Sequence, residues 1–195
     1  MKLETIFTLK TLATALFIAL TISACQQNND QKDNAQTEQS TKVKAPQITI
    51  HDAVIAGNLE AVKQHIAART DLNQKDPFGG SSPLILASVF GKEEIAKTLI
   101  EAGVKLDQRN NDGSTALISA AFFCRSEMVQ MLLDAGADKE IKNNYGSTAL
   151  DNAMIPFKDI EPVYKMMQQQ LAAMGLEVDL KRIEATRPQI IQMLQ

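Results

Sequence analysis

The residue types that most often carry chemistry in proteins are sparse in this chain. Its 195 residues include two cysteines and two histidines. Cys25 and Cys124 stand far from each other and from His51 and His65, so the sequence lacks a Cys/His spacing typical of a zinc site. It also lacks a GxSxG nucleophile motif, an HExxH motif and a phosphate-binding P-loop. We therefore predict no catalytic residue, no metal site and no cofactor.

Cys25 follows a segment with the composition of a secretory signal. Basic residues precede an apolar run over residues 12–22, which as a helix would cover about 16 Å and is too short to span a bilayer. Residues 22–25, Ile-Ser-Ala-Cys, resemble the lipobox of bacterial lipoproteins. That resemblance implies removal of residues 1–24, lipidation of Cys25 and anchoring in a lipid bilayer through several acyl chains. An ordinary secreted protein cleaved nearby is the alternative.

The residues after Cys25 bear on the choice of membrane and on the reach of the domain. In well-studied Gram-negative lipoproteins an Asp after the cysteine signals inner-membrane retention. Here that residue is Gln26, so the resemblance favours the outer membrane, facing the periplasm. Residues 26–47 are almost wholly polar and rich in Gln and Asn, and such a segment buries too little apolar surface to order itself. We predict that residues 25–47 are a lipidated cysteine and a disordered tether.

The rest of the chain is organised by a repeat. Gly80-Ser-Ser-Pro-Leu84, Gly113-Ser-Thr-Ala-Leu117 and Gly146-Ser-Thr-Ala-Leu150 follow one another at a constant interval. A second motif, an acidic residue followed by Ala and Gly, recurs at the same interval. Ser82 and Thr115 stand where a short helix needs an N-cap, and apolar residues then recur at helical spacing. Each unit therefore predicts two helices that bury their apolar faces against neighbouring units.

These motifs resemble the ankyrin repeat, whose signature joins G-x-T-P-L to a later G-A-D and whose period has the same length. The resemblance implies an all-α solenoid of about four helix-turn-helix repeats with a C-terminal capping helix. The predicted repeat domain covers residues 48–195. We place its repeats at residues 48–79, 80–112, 113–145 and 146–195, the last of them divergent.

The last repeat departs from the pattern after Ala153. A predicted helix from about Val163 to Met174 precedes residues 175–179, which look like a displaced repeat turn, and residues 187–194 resemble another second helix. Two arrangements agree with this order: a lengthened helix followed by a capping helix, or an insertion that splits the repeat. We favour the first, because an open solenoid needs a terminal helix with a polar outer face.

Cys124 occupies the turn position that Gly91 holds one repeat earlier. With Cys25 lipidated, no intramolecular disulfide remains available to Cys124. We favour a small residue filling a helix end, and a redox-active thiol is the alternative.

In ankyrin stacks the loop tips and first helices line a concave face that binds partner proteins, and the resemblance transfers this role to matching positions. Lys75, Arg109 and Lys142 lie one repeat apart and predict a basic stripe, which indicates either an acidic partner or a solvated edge. Phe78 and Tyr145 are predicted anchors, because aromatic residues make up only 5% of the chain and are favoured in interfaces. The other predicted partner-binding residues are the tip residues Asn111 and Asp112, with Phe90 or Phe123 as an apolar floor of the groove.

The formal net charge of -3 is too small to indicate nucleic-acid binding. The leading hypothesis is a lipid-anchored module that binds an unidentified protein on the periplasmic face of the cell envelope. It would serve either as an immunity protein against a toxic effector or as an accessory factor for a periplasmic enzyme such as a catalase. The alternative is a structural or assembly factor of the envelope with several weak partners.

Overall fold

The computed structural model describes residues 44–195, and the predictions for the signal, for Cys25 and for most of the tether lie outside this range. Helices and loops make up the described part, without a strand. A short 3₁₀ turn follows the eighth helix. The helices are α1 Ile50–Ile55, α2 Leu59–Ala67, α3 Pro83–Phe90, α4 Glu93–Glu101, α5 Ala116–Phe122, α6 Ser126–Asp134, α7 Ala149–Met154, α8 Phe157–Leu171 and α9 Leu180–Leu194.

The first helix of every repeat begins at a hydroxyl N-cap. The side chains of Thr49, Ser82, Thr115 and Thr148 each accept a hydrogen bond from the backbone N–H of the third residue after them. That bond satisfies one of the four N–H groups that an α-helix leaves without a partner. The predicted caps at Ser82 and Thr115 are therefore confirmed.

The helices stack in two rows. The first helices α1, α3, α5 and α7 pack side by side, and the second helices α2, α4 and α6 form the other row. Ala87, Ala120 and Ala153 hold the same position in successive repeats and are buried along the first row. Their small side chains allow neighbouring helices to approach closely, while Leu, Ile, Val and Met side chains fill the space between the rows.

The turn between the two helices of a repeat uses a left-handed residue. Gly57 and Gly91 have φ angles of 72° and 64°, and Cys124 takes the same conformation with φ 50°. A left-handed conformation costs a residue with a Cβ about 1–2 kcal/mol. Cys124 is fully buried, so its packing offsets that strain, as the small-residue interpretation of this position expects.

The C-terminal repeat is split by an insertion. Helix α9 packs against both α6 and α7, which is the position of the second helix of the fourth repeat. Residues 155–179, which contain α8, lie between that repeat's first and second helices. The predicted solenoid with a closing C-terminal helix is confirmed, and α9 is that helix. The favoured arrangement of the last repeat was wrong, because an insertion splits this repeat and no lengthened helix precedes the closing helix.

Among residues 44–195, no helix combines the length and the apolar character that crossing a membrane requires.

Candidate functional site

The loop before α3 is organised by one carboxylate. Oδ1 of Asp76 accepts hydrogen bonds of 2.8 Å from the backbone N–H groups of Phe78 and Gly79, and Oδ2 accepts one from the N–H of Ser81. Partial burial raises the pKa of Asp76, but these three donors and the nearby His51 together outweigh it and hold the pKa below its ordinary value. The ionised carboxylate therefore fixes the loop that carries Phe78.

Asparagines perform the same task in the next two loops. Oδ1 of Asn110 accepts from the N–H of Ser114 at 2.8 Å, and Oδ1 of Asn143 accepts from the N–H groups of Tyr145 and Ser147 at 3.0 Å. Together with Asp76, these two residues form a column with one member in each of the three loops. Each loop is therefore held closed by a side chain of its own, in addition to its contacts with the neighbouring loops.

Adjacent loops are joined by a ladder of hydrogen bonds. The N–H of Asn111 donates to the carbonyl of Gly79, and the N–H of Asn144 donates to the carbonyl of Asp112, both at 2.9 Å. The side-chain amide of Asn144 adds a 2.9 Å bond to the carbonyl of Asn111. The three loops that precede α3, α5 and α7 therefore form one continuous edge, which we call the tip ladder.

The predicted basic stripe divides into two kinds of residue. Lys75 and Lys142 are exposed at the tips. The guanidinium of Arg109 donates to the carbonyl of Gly113 at 2.9 Å, to the carbonyl of Lys142 at 3.0 Å and to Oδ1 of Asn144 at 3.2 Å. Arg109 therefore ties one loop to the next, and the two lysines are the freer cations.

Phe78 and Tyr145 project from the tip ladder into solvent. Their exposed fractions are 90% and 77%, the two largest among the exposed large hydrophobic residues within 44–195. Asp112 holds the equivalent position in the repeat between them and is also exposed. We call these three residues the tip row. It presents two aromatic rings and one carboxylate on a hydrogen-bonded edge.

The predicted apolar floor needs correction. Phe90 and Phe123 are 8% and 2% exposed, so neither of them reaches the groove. Their neighbours Val89 and Phe122 are half-buried instead. Phe123 packs edge-on against Phe122, with ring centroids 5.1 Å apart. In the pairs Val89-Phe90 and Phe122-Phe123, the first residue is thus the more exposed one, and the second belongs to the core.

The described residues show no cluster typical of a metal site. Within 44–195, no three His, Cys, Asp or Glu side chains lie close enough to hold a metal ion. Burial raises the pKa of the Cys124 thiol although two arginines, Arg187 and Arg182, oppose that rise. A buried, protonated thiol is a poor nucleophile, so the tip ladder remains the candidate site.

A comparison with protein families agrees with this geometry. Residues 50–143 match the family described as ankyrin repeats, in three copies. The fold is an ankyrin-repeat solenoid. Protein–protein interaction is the role that ankyrin repeats imply, and in this solenoid the tip ladder joins the loops before α3, α5 and α7.

Curated proteins similar to this chain include protein phosphatase 1 regulatory subunit 27 from Homo sapiens and from Mus musculus. Each is 41% identical over 64 residues, which are 33% of this chain and 41% of the relative. The chain therefore matches less than half the length of these relatives. The shared segment is too short to transfer an activity to this chain.

Sequence reasoning missed the residues that hold the tips in place. It selected the exposed Phe78 and Tyr145, but it did not assign a role to Asp76, Asn110 or Asn143. A signal was present, because these three positions repeat at the ankyrin interval and are always Asp or Asn. Those side chains accept hydrogen bonds from nearby backbone N–H groups in turns.

Proposed function

We propose that this chain is a lipid-anchored binding module of the bacterial cell envelope, and that its ankyrin tips hold a partner protein on the periplasmic side. The observation that best supports this proposal is the exposure of Phe78 and Tyr145 on a hydrogen-bonded edge. Exposed large aromatic residues are costly to solvate and act as anchors in protein interfaces. Because the tip ladder already fixes their loops, binding requires little further ordering.

Charge at the tips favours an acidic partner surface. Lys75 and Lys142 are exposed in the same loops as Phe78 and Tyr145, and the carboxylate of Asp112 is the acid of the tip row. Rim lysines contribute to the association rate more than to the affinity. We therefore propose that an acidic partner docks its apolar centre against Phe78 and Tyr145.

The name of the similar human and mouse proteins, a regulatory subunit of protein phosphatase 1, supports a non-catalytic role in which one protein controls another. It does not extend to the identity of the partner, since the similarity covers 64 residues. Immunity against a toxic effector and support of a periplasmic enzyme are the two forms of such control that we propose. Capture of a single acidic toxin favours the first, and peroxide sensitivity of a deletion strain favours the second.

An envelope structural or assembly factor is the competing function. Its groove would hold several partners weakly through charge. Broad capture of many envelope proteins that is lost at moderate salt would favour this function, because exposed ion pairs are screened over about 8–10 Å at physiological ionic strength.

The proposed anchor rests on the resemblance of residues 22–25 to a lipobox. Cells fed radioactive palmitate should incorporate label into the wild-type chain and not into Cys25→Ala. Persistence of label in Cys25→Ala would remove the anchor from the proposal. Separation of inner and outer membranes then tests the proposed outer-membrane location.

Photo-crosslinking tests the binding surface directly. A benzophenone side chain at position 78 or 145 should form a discrete adduct with one envelope protein in living cells. The matched control is position 166 on α8, where Met166 is also a partly exposed large hydrophobic residue at 49%. Adducts from position 166 with none from the tips would place the partner elsewhere.

A further inference from the structure

Helix α8 is a marginally attached element of the fold. Of its 15 residues only Ile160 and Tyr164 are buried, and four more are partly buried against the core: Phe157, Val163, Met167 and Leu171. The salt bridge of Glu161 with Lys165 runs along the helix itself and does not tie it to the repeats. The other helices pack in the two rows of the stack, whereas α8 lies outside those rows and has the least contact with the rest of the described fold.

Tyr164 makes the polar contacts that attach α8 to the repeats. Its ring lies 4.8 Å from the ring of Phe122 and 6.2 Å from that of Phe123, measured between centroids. Its hydroxyl donates a hydrogen bond to the carbonyl of Phe122 and accepts one of 3.1 Å from the guanidinium of Arg187. Within residues 44–195 these are the only side-chain hydrogen bonds that join α8 to the repeats.

Arg187 keeps hydrogen bonds to the repeats whether or not α8 is in place. It comes from α9 and is 6% exposed, and its other terminal nitrogen donates to the carbonyls of Asn152, Ala153 and Ile155 at the end of α7. Carbonyls at a helix C-terminus lack partners within the helix and favour a cation. The guanidinium is therefore held by the stack, and it offers α8 a fixed docking point.

Arg182 supports the same surface from α9. It donates to the carbonyl of Cys124 at 2.7 Å and to the carbonyl of Phe123 at 3.2 Å. These bonds satisfy the end of α5 without any help from α8. The repeat stack can thus retain its hydrogen bonds when the hydroxyl of Tyr164 leaves, apart from the bonds that Tyr164 itself makes.

We propose that α8 is a displaceable strap that opens as a unit while the ankyrin repeats stay folded. The Sγ of Cys124 lies 4.0 Å from the carbonyl of Phe122 to which Tyr164 donates, so opening uncovers both Phe122 and this buried thiol. The opened strap adds an apolar surface at the C-terminal ends of the first helices, away from the tip ladder. This inference does not depend on the proposed partner or on the lipid anchor.

Thiol labelling tests the proposal without any partner. In the full chain carrying Cys25→Ser, Cys124 is the single thiol, since the chain has two cysteines. Its labelling rate is measured across a series of urea concentrations below the unfolding transition, and helical circular dichroism gives the urea dependence of global unfolding. An opening confined to α8 exposes little surface, so its urea slope should be less than about half the global slope.

Matched variants separate opening from unfolding. Tyr164→Phe keeps the ring and removes both hydrogen bonds of the hydroxyl, and we expect labelling in the absence of urea to rise about tenfold. Leu99→Ala, a buried change in α4, should lower global stability and leave that labelling rate within about twofold.

Two outcomes would overturn the strap. In the first, Cys124 is labelled only with the full urea slope of global unfolding, which means that α8 leaves only when the repeats unfold. In the second, Leu99→Ala accelerates labelling as much as Tyr164→Phe does. Neither outcome bears on the crosslinking test at the tips, so failure of the strap and failure of the proposed function remain distinguishable.

Discussion

At the scale of single residues, the candidate site depends on side chains that face the backbone rather than the solvent. Asp76 and Asn143 hold the loops of Phe78 and Tyr145 by accepting N–H bonds, and Arg109 joins two of the loops. The exposed rings carry the proposed contact, but their placement comes from these polar neighbours. Substituting a supporting residue should therefore weaken binding without removing any contact atom.

Asp76 offers the clearest residue-scale prediction. Asp76→Ala should lower the free energy of unfolding by about 1–2 kcal/mol at neutral pH, because three charge-assisted hydrogen bonds are lost from a half-buried site. The pKa of Asp76 lies below its ordinary value, so its contribution is present above that ordinary value and is lost as the pH falls through the lowered pKa. Urea unfolding of both chains at neutral and acidic pH measures the difference, which should shrink in acid.

The control for Asp76 is Asp112→Ala. Within residues 44–195 the carboxylate of Asp112 accepts no hydrogen bond, and this residue is exposed at the equivalent tip. It should change stability by less than about 0.5 kcal/mol. Equal losses at the two positions would show that the bonds to Asp76 do not stabilise the loop.

Tyr164 provides a second residue-scale prediction. Desolvation, with the nearby Cys124, raises its pKa from 10.0 to about 12 against the opposing effect of two arginines. Because the folded chain holds this proton more tightly than the unfolded chain does, the stabilisation is complete below pH 10 and is lost as the pH rises towards 12. Tyrosinate absorbance in a Tyr145→Phe chain reports Tyr164 alone, and ionisation with a midpoint near pH 10 would contradict its burial.

At the scale of elements, the repeat period predicted the helices and tips well, but two features needed the packed structure. Which of the two residues in Val89-Phe90 or Phe122-Phe123 is buried depends on how neighbouring helices are offset, and both members are apolar. The insertion was misjudged because the apolar spacing of Ile160 and Tyr164 in α8 is also typical of a second helix. Only packing against α6 and α7 distinguishes α9 from α8.

Two glycines of the tip loops allow a prediction at the scale of elements. Gly113 and Gly146 have φ angles of 75° and 79°. A Cβ on Gly113 would lie 2.8 Å from the backbone nitrogen of Asn144, whereas a Cβ on Gly146 meets nothing within 4 Å. Gly146→Ala should therefore cost about 1 kcal/mol of conformational strain, and Gly113→Ala about 2 kcal/mol or more.

Urea unfolding of the two glycine variants measures this contrast. Because both variants share the left-handed strain, the difference between them reports the contact between neighbouring loops. If they lose the same free energy, the loops can separate at no cost, and the tip ladder does not hold the tips together.

At the scale of the whole molecule, the solenoid gives separate regions separate tasks. The stacked helices supply stability, and the tip ladder supplies a preorganised edge. The insertion between α7 and α9 adds a strap at the far ends of the first helices. Repeat arrays suit this division because each unit contacts only its neighbours, so one edge can diverge while the stack is kept.

The central claim is that the aromatic residues of the tip row hold the partner, and the dissociation constant of the crosslinked partner tests it most directly. Phe78→Ala and Tyr145→Ala should each raise the Kd about tenfold or more, as expected for interface anchors. Met166→Ala should leave the Kd within about twofold. Wild-type affinity in both tip variants would contradict the account, because the partner would then bind the solenoid without its tips.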